Sequence, residues 1–156
     1  MIKCTTWTLT DPWRNTAAGE AFSSFEKVFA LSGKSISSDS ESVIFRLEVD
    51  NKLYYIKQYH TTKGIRSWFG KARIRQEARN QLWFNQIGLP AARVVAFGEE
   101  HMFGKTFRCA MVTESLDNTE DLAWTLGNCP ELFNNPEWVS QVIDQVASIT
   151  RTIHQH

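Results

Sequence analysis

The sequence predicts an α+β fold: a five-stranded antiparallel sheet with one helix between its third and fourth strands, followed by further helices. Three observations carry that reading. Val43, Phe45, Leu47 and Val49 alternate with Ile44, Arg46 and Glu48, the period of two of a strand. Leu53 to Tyr59 is rich in aromatic and branched residues and returns after Asp50-Asn51, two residues that tolerate the positive φ of a tight hairpin. Ile74, Ala78 and Leu82 fall on one helical stripe, widened by Trp83 and Ile87, and Gly88 followed by Pro90 stops it.

Taken in order, Met1 to Gly19 is polar, with Trp7 and Trp13 as isolated anchors and a break at Asp11-Pro12, and it gives no functional signal. Phe22, Phe25, Val28, Phe29 and Leu31 lead into a first strand over Ser24 to Leu31, where the spacing also permits a short helix at its start. Gly33 to Ser42 is a loop. Val43 to Val49 is the second strand and Lys52 to Tyr59 the third. His60 to Lys71 is a connection, Arg73 to Ile87 a helix, Val94 to Phe97 a fourth strand, and Phe107 to Thr113 a fifth after a turn at Gly104. Asn118 is expected to cap a short helix with Asp121 as the reciprocal acid. Asn135 caps a longer one, with Pro136 at its first position and a stripe of Val139, Val142, Ile143, Val146, Ile149 and Ile153.

Composition narrows the function classes. The 156 residues suit one domain or slightly more, and 17 basic against 17 acidic residues leave no global field for nucleic acid or acidic lipid. Cys4, Cys109 and Cys129 have neither metal-ligand spacing nor an even count, which fits reduced thiols acting as small buried hydrophobes. Residues 1 to 20 carry no apolar run of signal-peptide length, and no stretch approaches the roughly twenty apolar residues of a membrane span. A cytoplasmic protein is the expectation.

The chemistry centres on Lys57. Strand alternation puts Leu53, Tyr55, Lys57 and Tyr59 on one face, so the ammonium sits among rings on a surface expected to be partly buried. A buried ammonium is costly unless paired, and it therefore calls for a carboxylate, a phosphate, or both. Glu77, on the following helix, is the candidate carboxylate. The alternative is that Lys57 extends to solvent and Glu77 pairs with Arg73 or another helix residue.

A sheet of this kind with one helix between strands three and four is the small lobe of a protein-kinase-like fold. The chain also carries Tyr54-Tyr55-Ile56-Lys57, Glu77 with Trp83, Ile87-Gly88-Leu89-Pro90, Val95-Ala96-Phe97-Gly98-Glu99, Met111 to Leu116, and Glu120-Asp121-Leu122. By these residues it resembles the lipopolysaccharide kinase family, sugar kinases that phosphorylate Kdo or heptose of the lipopolysaccharide inner core. The residues run in the family's order over roughly Phe25 to His154. The resemblance implies ATP and Mg²⁺ as cofactors, with Lys57 contacting the α and β phosphates and Glu77 holding Lys57 in place. It also implies that Glu114, Ser115 and Leu116 form the linker whose backbone meets the adenine edge. A small lobe over 1–116 and the first helices of an incomplete large lobe over 117–156 follow from it.

The sequence departs from that pattern in two ways. Between its first two strands it has only Gly33 where protein kinases have a glycine-rich loop, and Asp39 and Glu41 there oppose phosphate. Thr150 to His154 resembles the end of the helix that precedes the catalytic loop, so the acceptor-orienting and magnesium-holding aspartates are expected beyond His156. No catalytic residue is assigned in the chain, and no metal ligand. Asp144 lies inside a helix and is no substitute, and His154 and His156 diverge at their spacing and read as a frayed terminus.

Lys63, Arg66, Lys71, Arg73, Arg75 and Arg79, interleaved with Trp68 and Phe69, form the one local basic concentration. It reads as a solvated connection first and an anion-binding segment second. The anion implied by the family is the phosphorylated glycolipid acceptor or the inner-membrane surface. Nucleic acid is disfavoured by the zero net charge. Three functions stay open: the N-terminal part of an ATP-dependent sugar kinase, shortened by a frameshift, a gene split or design and inactive alone; a non-catalytic kinase-derived binding module; and an anion-binding adaptor using the connection 63–79. In each case the apolar stripe of the helix over 136–153 invites self-association.

Overall fold

The computed structural model describes residues 3–38, 42–60, 73–103, 105–117 and 119–155. The chain forms two compact units, Met1–Ser115 and Leu116–His156. The first unit is built on an antiparallel sheet of β1 (Lys3–Leu9), β2 (Lys34–Ser38), β3 (Ser42–Val49), β4 (Lys52–His60), β5 (Val94–Met102) and β6 (Lys105–Glu114). Its spatial order is β1-β5-β6-β4-β3-β2, which makes six strands among the described residues rather than the expected five.

The N-terminal part differs most from the sequence reading. Met1 to Gly19 contains an edge strand: β1 pairs with β5 from Lys3↔Met102 to Leu9↔Ala96. Ser24 to Leu31 is not a strand but holds α2 (Phe25–Ala30), preceded by the short α1 (Ala17–Ala21). Local chemistry decides it, because the Ser24 hydroxyl accepts the Lys27 N–H as an N-cap. Phe25 and Val28 are then buried on one helical stripe, with Phe29 packing beside them. The first strand of the expected lobe is instead β2, inside the presumed loop. Every residue of β2 is exposed, so it has no apolar alternation to betray it; ladder pairing to β3 holds it in place.

The central hairpin is as expected. Asp50 and Asn51 adopt φ of 53° and 58°, the left-handed pair that a two-residue turn requires, and β3 and β4 pair from Ser42↔Tyr59 to Val49↔Lys52. On one face of the sheet Phe45, Tyr54, Ile56, Val95, Ala110 and Val112 are buried against Trp13, Phe22, Phe25 and Val28. Side chains join the two layers: Trp7 Nε1 donates to Phe22 O at 2.9 Å, and the buried Gln58 donates to Val28 O at 2.9 Å. On the other face α3 (Arg73–Gln86) buries Ile74 and Ala78 with Val94, Cys109 and Met111. Leu82, expected on the same stripe, is exposed. Gly88, at φ 78°, ends the helix as expected.

Two adjacent glutamates on β5 are buried on opposite faces, as strand alternation dictates. Glu100 accepts from Arg108 Nη2 at 2.9 Å and also pairs with Lys3, while Arg108 stacks 4.6 Å from the Phe29 ring centroid. The Arg108 hydrogen bond, reinforced by Lys3 and opposed by desolvation, holds the Glu100 carboxyl below the usual range. That stabilisation is therefore present above the ordinary carboxylate pKa and lost as pH falls through the depressed value.

In the second unit Asp121, not Asn118, is the N-cap of α4 (Leu122–Asn128): its carboxylate accepts the Trp124 N–H at 2.7 Å. Asn118 and the Gly104 turn lie outside the described residues. Asn135 caps α5 (Pro136–Gln155) through the Glu137 and Trp138 amides, as expected. No residue of α5 is fully buried, and Ile143 and Val146 are 61% and 56% exposed. His154 lies within this helix rather than in a frayed end. The three cysteines are free, but only Cys109 is buried; Cys4 is exposed on the edge strand β1 and Cys129 is half-buried.

Gly98 is required by the β1–β5 pairing, since a Cβ there falls 2.1 Å from Thr6 O and 2.7 Å from the Trp7 ring. The Thr6 oxygen is backbone and cannot yield without breaking the pairing. Gly98→Ala is expected to destabilise the chain by on the order of 2 kcal/mol, measured by urea denaturation. Unchanged stability would show that β1 is not bound as described.

Candidate active-site half centred on Lys57

Lys57 lies on β4, with Ile44 of β3 and Met111 of β6 as its cross-strand partners. The strand is hydrogen-bonded on both edges, so the lysine projects from a rigid backbone between apolar neighbours. Its Nζ donates to Glu77 Oε1 at 2.8 Å and to Oε2 at 3.1 Å. Glu77 is presented by α3, whose first turn is fixed on the sheet by Ile74 and Ala78. The sequence-based alternative, an extended lysine and a glutamate paired within its helix, is not what forms. The side chains of Lys57 and Glu77 are only 25% and 34% exposed, so the pair is partly shielded from water.

Tyr59 completes the group. Its hydroxyl donates to Glu77 Oε2 at 3.4 Å, and its ring centroid lies 5.1 Å from the Lys57 ammonium. Desolvation alone lowers the Lys57 pKa, but the hydrogen bonds to Glu77 and Tyr59 and the negative charge of Glu77 outweigh it and raise it above the ordinary 10.5. A raised folded pKa contributes stability that is fully present below the unfolded value and is lost as pH rises through the folded one. Lys57 is thus a full cation at neutral pH. Cys109, beneath the same helix, is no nucleophile, since burial pushes its thiol up to about 12.

Glu114, Ser115 and Leu116 lie at the end of β6, where Glu114 is the register partner of Tyr54, roughly 10 Å along β4 from Lys57. The Glu114 N–H donates to Arg93 O at 2.9 Å and the Ser115 N–H to Leu53 O at 2.8 Å, so these two donors are committed within the sheet. The Glu114 carboxylate accepts from Arg93 Nε at 2.7 Å and faces Lys52 at 3.6 Å. Of the basic concentration, Lys63, Arg66, Trp68, Phe69 and Lys71 lie outside the described residues, as do Asp39 and Glu41. Arg75 pairs with Glu99, which sequence reasoning passed over although an acidic residue on a central apolar strand signals a buried partner. Among the described residues no group of three or more His, Cys, Asp or Glu could hold a metal ion.

The sequence model of the lipopolysaccharide kinase (Kdo/WaaP) family matches residues 35–156. The chain belongs to that family. Among solved structures it is similar to WaaP in complex with acyl carrier protein, with a TM-score of 0.54 and 25% sequence identity. That similarity covers 81% of this chain and 47% of the other, so the chain spans about half the length of its solved relative. No curated protein matches the chain.

Removing the carboxylate should reverse the balance at Lys57. In Glu77→Gln desolvation has less to oppose it, and the Lys57 pKa is expected to fall from its raised value, read by ¹³C-detected titration of the lysine side chains. An unshifted pKa would mean that Glu77 does not govern the ammonium.

Proposed function

We propose that the chain is the nucleotide-binding part of an ATP-dependent kinase acting on a sugar hydroxyl, Kdo or heptose, of the lipopolysaccharide inner core. The observation that carries this reading is the Lys57–Glu77 ion pair, formed between a central strand and the helix packed on it, in a member of a lipopolysaccharide kinase family. A bare cation on a rigid strand locates phosphate charge, and the helix carboxylate removes the rotamer freedom that such a long side chain otherwise has. The partial burial supports the role, because shielding from water strengthens the attraction of an ammonium for a polyphosphate.

In this reading Lys57 holds the α and β phosphates of ATP, Glu77 orients Lys57, and Tyr59 steadies Glu77. Glu114, Ser115 and Leu116 meet the adenine edge through backbone groups other than the Glu114 and Ser115 amides. Magnesium, when bound to the nucleotide, neutralises phosphate charge; the described residues provide no carboxylate cluster for it. No residue of this chain is assigned to proton transfer, and the isolated chain is proposed to lack turnover. The proposed setting is cytoplasmic, at the inner-membrane surface where such an acceptor is presented. Because the solved relative is in complex with acyl carrier protein, that carrier is a partner to test alongside nucleotide and core sugar.

Calorimetric titration of ATP tests the reading. Lys57→Met is expected to weaken binding by about 1.5 to 3 kcal/mol, the worth of a charge-assisted hydrogen bond, and Glu77→Gln by less, because it only frees the lysine. Binding indifferent to Lys57 would remove the proposed site.

The apolar side chains on α5 support a further expectation, self-association of the chain. Burying a Val or Ile side chain contributes about 1.5 to 3 kcal/mol, and Ile143 and Val146 lie a turn apart on the same exposed stripe. Sedimentation velocity should show concentration-dependent association that Ile143→Glu with Val146→Glu abolishes. A monomer at every concentration would refute this.

A further inference from the structure

A second site lies between α3 and the edge strand β1, separated from the Lys57 strand by β5 and β6 in the sheet order. It is a cavity of about 310 Å³, at the lower end of the range for small-ligand pockets. It is lined by Thr6 and Thr8 of β1 and Phe97 and Glu99 of β5 on the sheet, and by Arg75 and Arg79 of α3. The register explains the sheet lining: Thr6 faces Glu99 and Thr8 faces Phe97 across the β1–β5 ladder, while the intervening Trp7 packs on the opposite side of the sheet. The two arginines are one helical turn apart, at i and i+4, and so share a face of α3.

The charges do not cancel. Glu99, 2% exposed, pairs through Oε1 with Arg75 and lies 3.1 Å from His101 Nε2. Among the described residues no carboxylate pairs with Arg79, so two guanidinium groups face one carboxylate and the cavity carries a net positive charge. Thr6 Oγ1 donates its proton to Glu99 O at 3.3 Å, whereas the hydroxyl of the exposed Thr8 has no side-chain hydrogen bond among the described residues. The donors left facing the cavity are therefore the Arg79 guanidinium, the outer edge of Arg75 and the Thr8 hydroxyl, beside an aromatic ring, while the buried Glu99 Oε2 has no hydrogen-bond partner among the described residues.

We propose that this cavity binds a phosphate monoester, with Arg79 and the outer edge of Arg75 on the phosphoryl oxygens, Thr8 donating a third hydrogen bond and Phe97 receiving the organic part. A phosphoryl group carries close to two negative charges at neutral pH and three acceptor oxygens, which suits two forks and a hydroxyl better than a planar carboxylate does. The apolar floor favours an ester over inorganic phosphate. The site uses neither Lys57 nor Glu77, so it stands independently of the nucleotide reading. A soluble sugar phosphate and a phosphate-bearing lipid headgroup share the chemistry it recognises.

The test is an amide-detected NMR titration of the full chain with inorganic phosphate and with glucose 6-phosphate, together with co-sedimentation on phosphatidylcholine vesicles containing phosphatidate. Saturable shifts are expected at the Thr8 and Gly98 amides, with glucose 6-phosphate binding more tightly than inorganic phosphate. Arg79→Gln, at an exposed position, should weaken binding roughly tenfold, the equivalent of one charge-assisted contact, and Thr8→Val by less. In Lys57→Met the titration of the Thr8 and Gly98 amides should keep the parent's midpoint, whatever happens at the Lys57 site itself. Vesicle binding lost in Arg79→Gln assigns a lipid headgroup, and binding of the soluble ester alone assigns a free metabolite. The proposal is overturned if Arg79→Gln binds phosphate as the parent does, or if the shifts cluster around Lys57 and vanish in Lys57→Met.

Discussion

The ion pair between Lys57 and Glu77 ties the two layers on which the first unit's chemistry rests. An ammonium at 2.8 Å from a carboxylate, both largely shielded, costs desolvation on each side, and a pair of apolar residues of similar volume would hold α3 to the sheet at least as well. The pair is therefore poorly explained as a stability device. It is better explained by what the charge can do: it leaves a cation whose position is fixed by β4 on one side and α3 on the other. Tyr59, with its hydroxyl on Glu77 and its ring beside the ammonium, narrows that position further.

Around that pair, other charges work as fasteners between elements distant in sequence. Glu100 joins Lys3 of β1 to Arg108 of β6 and, through the aromatic stack of Arg108 on Phe25 and Phe29, to α2. Glu99 joins α3 to β5 through Arg75 on the other face. Arg93 reaches Glu114 at the end of β6 and lies 5.2 Å from the ring of Trp13. Each carboxylate is matched by at least one guanidinium, whose planar fork suits a site where few waters remain to share the hydrogen bonding. The consequence is that the sheet is cross-linked on both faces, which holds the backbone that carries Lys57.

How much of this was legible in the sequence depended on whether local pattern and tertiary environment agreed. The β3–β4 hairpin was legible because a strict period of two flanked Asp50-Asn51, and Lys57 stood out because its neighbours were aromatic. Helix α3 was legible from Ile74, Ala78 and the Gly88 stop. β2 was not, because an exposed edge strand such as Lys34–Ser38 is held by backbone pairing and its side chains record nothing. α2 was misread because Phe25, Val28 and Phe29 satisfy either period over so short a run, and the Ser24 cap decides between them. Glu99 and Glu100 went unassigned because the cations that neutralise them come from β1, α3 and β6, partners that sequence spacing does not reveal.

The N-terminal segment resolves a problem that the family relationship leaves open. The family match begins at residue 35, after β1, α1 and α2. Without those elements the sheet face bearing Phe45, Tyr54, Ile56 and Val112 would lie open to water, an apolar surface of the kind that drives aggregation. Trp13, Phe22, Phe25 and Val28 cover it, and each such burial contributes about 1.5 to 3 kcal/mol. β1 adds a sixth strand beside β5, and Thr10 fastens its end through Oγ1 to Val94 O at 2.8 Å and Val95 O at 3.0 Å. The cover lies on the face opposite α3, so it holds β4 from behind and leaves the Lys57 side clear. The same β1 brings Thr6 and Thr8 against Arg75 and Arg79, so the strand that closes the sheet also completes the second cavity.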